Sequence, residues 1–222
     1  MAFNVAIDGP AGAGKSTIAK IVAKEKAFVY VDTGAMYRAM AIHFIKNGIS
    51  PEESEKISAA AETADVTIEY VNGEQQVLLN GENVTPYLRT EEVGNMASSS
   101  SVNGDVRRKL VELQQKLAAT TNVVMDGRDI GTCVLPNAQV KVYLTASVDV
   151  RAKRRYDELV AKGQEADFEK IKKDIEERDF RDMNRDISPL RQAEDAVLVD
   201  SSNLNIEESA AAILALIDEK LS

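Results

Sequence analysis

Residues 9–16 read GPAGAGKS, a full match to G-x-x-x-x-G-K-[ST], and they constrain this chain more than any other segment. The stretch follows a short apolar run, Phe3 to Ile7, that stops at Asp8-Gly9. It opens a helical pattern from about Lys15 to Lys26 with Ile18, Ile21 and Val22 on one face. A strand that ends in a glycine-rich turn and runs straight into a helix aims backbone N–H groups at an anion. Gly9, Gly12 and Gly14 supply the conformational freedom, and the helix N-terminus adds partial positive charge. Lys15 then reaches the β- and γ-phosphates of a nucleoside triphosphate, and the Ser16 hydroxyl is placed to ligate Mg²⁺. The triphosphate site is thus expected to comprise Gly9, Pro10, Ala11, Gly12, Ala13, Gly14, Lys15, Ser16 and Thr17.

The rest of the chain reads as an α/β protein with an insertion. Phe28 to Val31 is a second buried strand ending at Asp32, and a helix is expected from about Met36 to Asn47, stopped by Gly48. Strands alternating with helices indicate a parallel sheet. Ser50-Pro51-Glu52-Glu53 predicts the next helix start, with Ser50 as N-cap and Glu53 closing a capping box. The period then changes. Val66, Ile68 and Tyr70 alternate with polar residues, and Asn72-Gly73 and Asn80-Gly81 supply hairpin turns, so a small antiparallel sheet is expected over about 65–85. Helices are expected over about 90–101 and 104–119, and strands over 123–125 and 140–144. A charged helical region follows over about 148–186, broken near Gly163. A last strand over 197–199 precedes a C-terminal helix capped by Asn205 with Glu208.

Charge narrows the chemistry. Lys and Arg total 27 against 36 Asp and Glu, a formal net charge of −9, which disfavours nucleic acid as a partner. One cysteine and one histidine exclude a disulfide framework and a Cys/His zinc site. The N-terminal AFNVAI lacks the charge and length of a signal sequence, and no apolar run is long enough to span a bilayer. A soluble, cytoplasmic monomer acting on small molecules, away from membranes, is expected. His43 shares a helix face with Met36 and Met40 and reads as packing, and Cys133 as a small buried filler.

No D-x-x-G or N-K-x-D string of a GTPase switch occurs, so the triphosphate site points to a small-molecule kinase. The apolar stripe Phe168, Ile171, Ile175 continues into Arg178, Arg181, Asp182 and Arg185, all on one expected helix. With Arg38 and Arg128 these arginines exceed what one triphosphate requires, and they answer the repulsion between two phosphates. Lys15, Arg128, Arg178, Arg181 and Arg185 are the candidate catalytic cations. A nucleoside monophosphate acceptor needs no base to remove a proton. Two other readings stay open. A shikimate- or dephospho-coenzyme-A-type kinase would use a base such as Asp32, and a nucleotide-binding regulator would turn over no small molecule. Asp32 and Asp126 both end strands on the side where open α/β sheets bind ligands, and either is placed to assist Mg²⁺.

The segments AIDGPAGAGKST (6–17), VDTGAMYR (31–38), DGRDIGT (126–132), RDFRDMNRDISPL (178–190) and DAVLVDSS (195–202) together resemble bacterial-type cytidylate kinases, in that family's order and over nearly the whole chain. The resemblance implies a P-loop NTPase fold with a five-stranded parallel sheet. It also implies a core of about 1–33, 120–150 and 191–222, a monophosphate-binding insertion of about 34–119, and a helical lid of about 151–190. The implied reaction is phosphorylation of CMP and dCMP by ATP with Mg²⁺. By position, Thr33, Ser98, Arg107 and Asp129 are similar to residues around the cytosine, with Arg108 the alternative to Arg107 because Gly104-Asp105 stands where relatives often carry proline. Arg38 and Arg128, with Tyr37 beside them, are similar to the acceptor-phosphate clamps. Arg178 and Asp182 are similar to ribose or lid contacts, and Arg185 to a lid arginine reaching both phosphates. An ionised Asp129 would accept from the cytosine amine and oppose uracil's O4, which predicts CMP over UMP.

Overall fold

A computed structural model of the chain describes residues 2–222. In chain order the elements are β1 (Asn4–Asp8), α1 (Lys15–Lys26), β2 (Val29–Asp32), α2 (Thr33–Lys46), α3 (Ser54–Thr63), β3 (Val66–Val71), β4 (Glu74–Leu79) and β5 (Glu82–Asn83). They continue with α4 (Glu91–Ser100), α5 (Gly104–Thr120), β6 (Val123–Gly127), β7 (Val140–Thr145), α6 (Val148–Ala161), α7 (Phe168–Asn184), β8 (Val197–Asp200) and α8 (Ile206–Leu221). The chain divides into two units, one of residues up to Tyr30 with Thr121–Ser222, the other Val31–Thr120.

The first unit is built on a five-stranded sheet in the order β2-β6-β1-β7-β8. β1 pairs in parallel with β6 and with β7, and β7 in parallel with β8, with Ile7 opposite both Asp126 and Val142. Central strands covered on both faces need continuous apolar runs, and Val5, Ala6 and Ile7 are fully buried, as are Val123, Val124 and Met125. Ile18 and Val22 of α1 share a core with Val5, Ile7, Leu144 and, from α8, Ile213 and Ile217. Each such side chain contributes about 1.5–3 kcal/mol on burial. Asn205 and Glu208 form the expected capping box at the start of α8.

The second unit pairs β3, β4 and β5 as an antiparallel sheet. Both tight turns are asparagine-glycine pairs in the left-handed region, Asn72 at φ 54° with Gly73 at 80°, and Asn80 at 52° with Gly81 at 81°. Its helices bury Met36, Met40, Phe44, Ile57 and Leu110. His43 is half-buried against Phe44 on α2, and its pKa is lowered by that burial.

Two helix starts depart from the sequence expectation. The α3 helix begins at Ser54, because Ser50 N–H donates to the Glu53 carboxylate (3.0 Å) and closes a separate turn one step before the helix. The α2 helix begins earlier than expected, at Thr33, because the Asp32 carboxylate accepts from Ala35 N–H (2.9 Å) as its N-cap. Among the described residues no helix is long and apolar enough to cross a membrane.

Candidate active site

The glycine-rich loop sits between β1 and α1 with Gly9, Gly12 and Gly14 at φ 150°, 77° and 91°. Gly9 is the tightest point: a Cβ there would lie 1.9 Å from the Leu144 carbonyl oxygen, so only glycine lets the loop cross β7. Lys15 is buried and donates to the Pro10 carbonyl at 2.7 Å, folding its own loop around the ammonium. Burial lowers the Lys15 pKa to about 7, with Arg128 adding to the effect and Asp126 and Asp8 opposing it.

Ser16 donates to one oxygen of Asp126 (2.9 Å), and the Tyr30 hydroxyl donates to the other (2.9 Å). A hydroxyl and a carboxylate side by side at the mouth of the loop are hard oxygen donors that suit Mg²⁺. Asp32, the other candidate, is engaged as the cap of α2, while its backbone exchanges hydrogen bonds with the Gln75 amide.

After β6 the chain enters a single π-helical turn, Ile130–Val134. Arg128 donates from Nε to Asp182 on α7 at 2.8 Å, with both side chains largely shielded. Burial alone would raise the Asp182 pKa; Arg128, with Arg178 and Arg185 behind it, outweighs burial and holds the carboxyl below its ordinary value. Arg185 Nη2 lies 3.4 Å from Asp129 Oδ1, and its Nε donates to the Ser188 carbonyl at 2.7 Å. Arg128, Asp129, Asp182 and Arg185 thus form one network in the first unit. Asp8 and Arg151, which the sequence did not single out, also belong there. Asp8 is buried at the end of β1 and accepts from the N–H groups of Ile130 and Gly131, both at 2.7 Å. Arg151 of α6 donates to the Ala11 carbonyl of the loop (3.0 Å) and pairs with Asp179 of α7 (2.6 Å).

Three expectations change. Arg181 does not share the inner stripe of α7: it is exposed, whereas Ile171, Ile175, Arg178 and Arg185 are half-buried and Asp182 is buried. The α7 helix stops at Asn184, and Arg185 is its extended C-cap, since the chain turns back so that Leu190 N–H donates to the Asp182 carbonyl. Cys133 is half-buried inside the π-helical turn rather than a core filler.

In the second unit, Thr33 is buried at the start of α2 and Ser98 is half-buried on α4. The Arg107 guanidinium lies 5.7 Å from the centre of the Tyr37 ring. Arg107 is buried, while Arg108 is exposed and paired with Asp105. The Arg38 Nη1 lies 3.7 Å from where a Cβ on Gly34 would stand.

The cytidylate kinase family model matches residues 5–219. The cytidylate kinase of Caldicellulosiruptor bescii is 49% identical over 214 residues, covering 96% of this chain and 95% of the relative. That of Carboxydothermus hydrogenoformans is 49% identical with 98% of each chain covered. That of Bacillus subtilis is 46% identical, covering 98% of this chain and 97% of the relative. Among solved structures, shikimate kinase from Bacteroides thetaiotaomicron superposes with a TM-score of 0.51 at 13% identity, covering 97% of this chain and 98% of that one, which shows a shared P-loop kinase fold and nothing about substrate. With a match over almost its full length and relatives near half-identical, the chain belongs to the cytidylate kinase family.

Proposed function

We propose that this chain transfers the γ-phosphoryl group of ATP directly to an α-phosphate oxygen of CMP or dCMP, giving CDP or dCDP. The observation that carries the reading is the network of Arg128, Asp129, Asp182 and Arg185 in the same unit as the Lys15 loop, in a chain of this family. Gly9 to Thr17 hold the triphosphate. Lys15, Arg128, Arg178 and Arg185 offset charge on the moving group, which is most of what phosphoryl transfer asks of a protein. Arg181, on the exposed side of α7, would contribute only after that helix moves.

Thr33, Ser98, Arg107 and Asp129 are assigned to the cytosine, Tyr37, Arg38 and Arg128 to the acceptor phosphate, and Arg178, Asp182 and Arg185 to the ribose and the phosphates. Residues 34–119 are assigned as the monophosphate-binding insertion and 151–190 as a lid that excludes water during transfer. Ser16 and Asp126 would hold Mg²⁺, which supplies neutralisation of phosphate charge and fixes the triphosphate's orientation. The reaction is placed in the cytoplasm, with a monomer acting on small molecules and on neither nucleic acid nor membrane. The net charge of −9 and the lone cysteine support that placement. Replacing Lys15 with Met is expected to lower ADP release at least a hundredfold while circular dichroism stays unchanged. A normal rate in that variant would end the reading.

A further inference from the structure

Asp8 performs no step in the reaction above, yet it is a buried carboxylate with both oxygens committed to one short stretch of chain. Its exposure is 4%, and it accepts from Ile130 N–H and Gly131 N–H at 2.7 Å each, across 122 and 123 residues of sequence. The Ile130 bond matters most because of the peptide it belongs to. The carbonyl of that same peptide, on Asp129, accepts from Cys133 N–H (2.8 Å) and Val134 N–H (3.2 Å). The Asp129–Ile130 peptide is therefore held at both ends, by Asp8 on its N–H and by the π-helical turn on its oxygen. Fixing that plane fixes the backbone from which the Asp129 side chain departs. The contact is also close-fitting. A Cβ on Gly131 would stand 3.4 Å from Asp8 Oδ2 and 3.2 Å from Lys141 Cδ.

A carboxylate in this place is electrostatically unfavourable by itself. Burial raises the Asp8 pKa to about 6, the two N–H groups lower it, and the Asp129 charge raises it again. An apolar residue would fill the end of β1 without that cost but would leave two loop N–H groups without acceptors. What the carboxylate adds is a rigid connection between the residue just before the triphosphate loop and the residue assigned to the cytosine.

We infer that Asp8 is a positioning residue for base selection: through the Ile130 and Gly131 N–H groups it sets where the Asp129 carboxylate stands, and so governs discrimination of CMP from UMP. This rests on the assignment of Asp129 to the cytosine above. The test is kcat/KM for CMP and for UMP, with KM for ATP, in the wild type, Asp8→Asn and Gly131→Ala. Asparagine offers one acceptor oxygen and turns its amide toward the second N–H, whereas Gly131→Ala crowds the contact and leaves the carboxylate in place. Both variants are expected to narrow the CMP-to-UMP ratio about tenfold, chiefly through KM for CMP; KM for ATP is expected to change less than twofold in Gly131→Ala and to rise in Asp8→Asn, because the Asp8 charge helps hold Lys15 protonated. An unchanged ratio in both, whatever happens to thermal stability, would make Asp8 merely structural and overturn the inference. So would a loss carried by KM for ATP in Gly131→Ala, which leaves the Asp8 charge in place. If Asp8→Asn does not fold, Gly131→Ala decides by the same ratio. A wild type that releases ADP equally with CMP and UMP would overturn the inference together with the Asp129 assignment, while leaving the kinase reading in place.

Discussion

Truncating Arg151 to Ala removes more than one interaction. Its guanidinium pairs with Asp179 at 2.6 Å, with side-chain exposures of 4% and 15%, and donates to the Ala146 carbonyl at 2.9 Å and the Ala11 carbonyl at 3.0 Å. Asp179 Oδ1 is buried with no hydrogen-bond partner among the described residues, so that carboxylate depends on Arg151 for its compensation. Breaking a buried pair from one side costs about 3–5 kcal/mol, because the remaining charge stays out of water. Screening removes little of that at these exposures. At about 2–4 °C per kcal/mol for a chain of this size, the melting temperature is expected to fall by about 10 °C. The assay is thermal denaturation of Arg151→Ala, Asp179→Ala and the double variant. The double variant is expected to be more stable than the sum of the single losses by about 2 kcal/mol, since removing Asp179 removes the stranded charge. A shift below about 2 °C for Arg151→Ala, or strict additivity in the double variant, would mean that no uncompensated Asp179 charge is left behind. Because Ala11 lies in the loop assigned above to the triphosphate, KM for ATP is expected to rise as well.

Two further outcomes follow from the same site. The free protein holds Lys15 near a pKa of about 7 through burial, and bound phosphates favour its charged form, so ATP binding at pH 8 is expected to take up nearly one proton. Calorimetry in buffers of different ionisation enthalpy measures that uptake, and Lys15→Met should abolish it. Tyr30→Phe removes the hydroxyl that donates to Asp126 at 2.9 Å, and a severalfold rise in the Mg²⁺ concentration needed for half-maximal ATP binding is expected, read by titration without acceptor.

The sequence was most legible where a local rule acted alone. The α1 helix falls at Lys15–Lys26 as its period and preceding glycines indicate, and both asparagine-glycine turns of the insertion adopt the positive φ that their residues favour. It misled where two local rules competed. Ser50 to Glu53 has the residues of a capping box, but they close a turn of their own and leave the helix to start at Ser54. On α7, spacing alone put Arg181 in line with Arg178 and Arg185, yet the helix ends at Asn184 and Arg181 faces outward. The long-range partners were invisible. Nothing near Asp8 announces that its acceptors are used 122 residues away, and Arg151 reads as one cation among several until Ala11 and Asp179 meet it. A single signal was available for Asp8: a carboxylate closing an apolar central strand must find buried partners.

The phosphoryl acceptor is assigned above as a cytidine monophosphate, and a coupled ADP-release assay with Mg·ATP decides it. CMP, dCMP, UMP, AMP and shikimate are offered separately. Strong turnover with CMP and dCMP, at least tenfold weaker turnover with UMP and none with shikimate are expected. ATP binding with no acceptor-dependent ADP release, or turnover with shikimate in place of CMP, would contradict it.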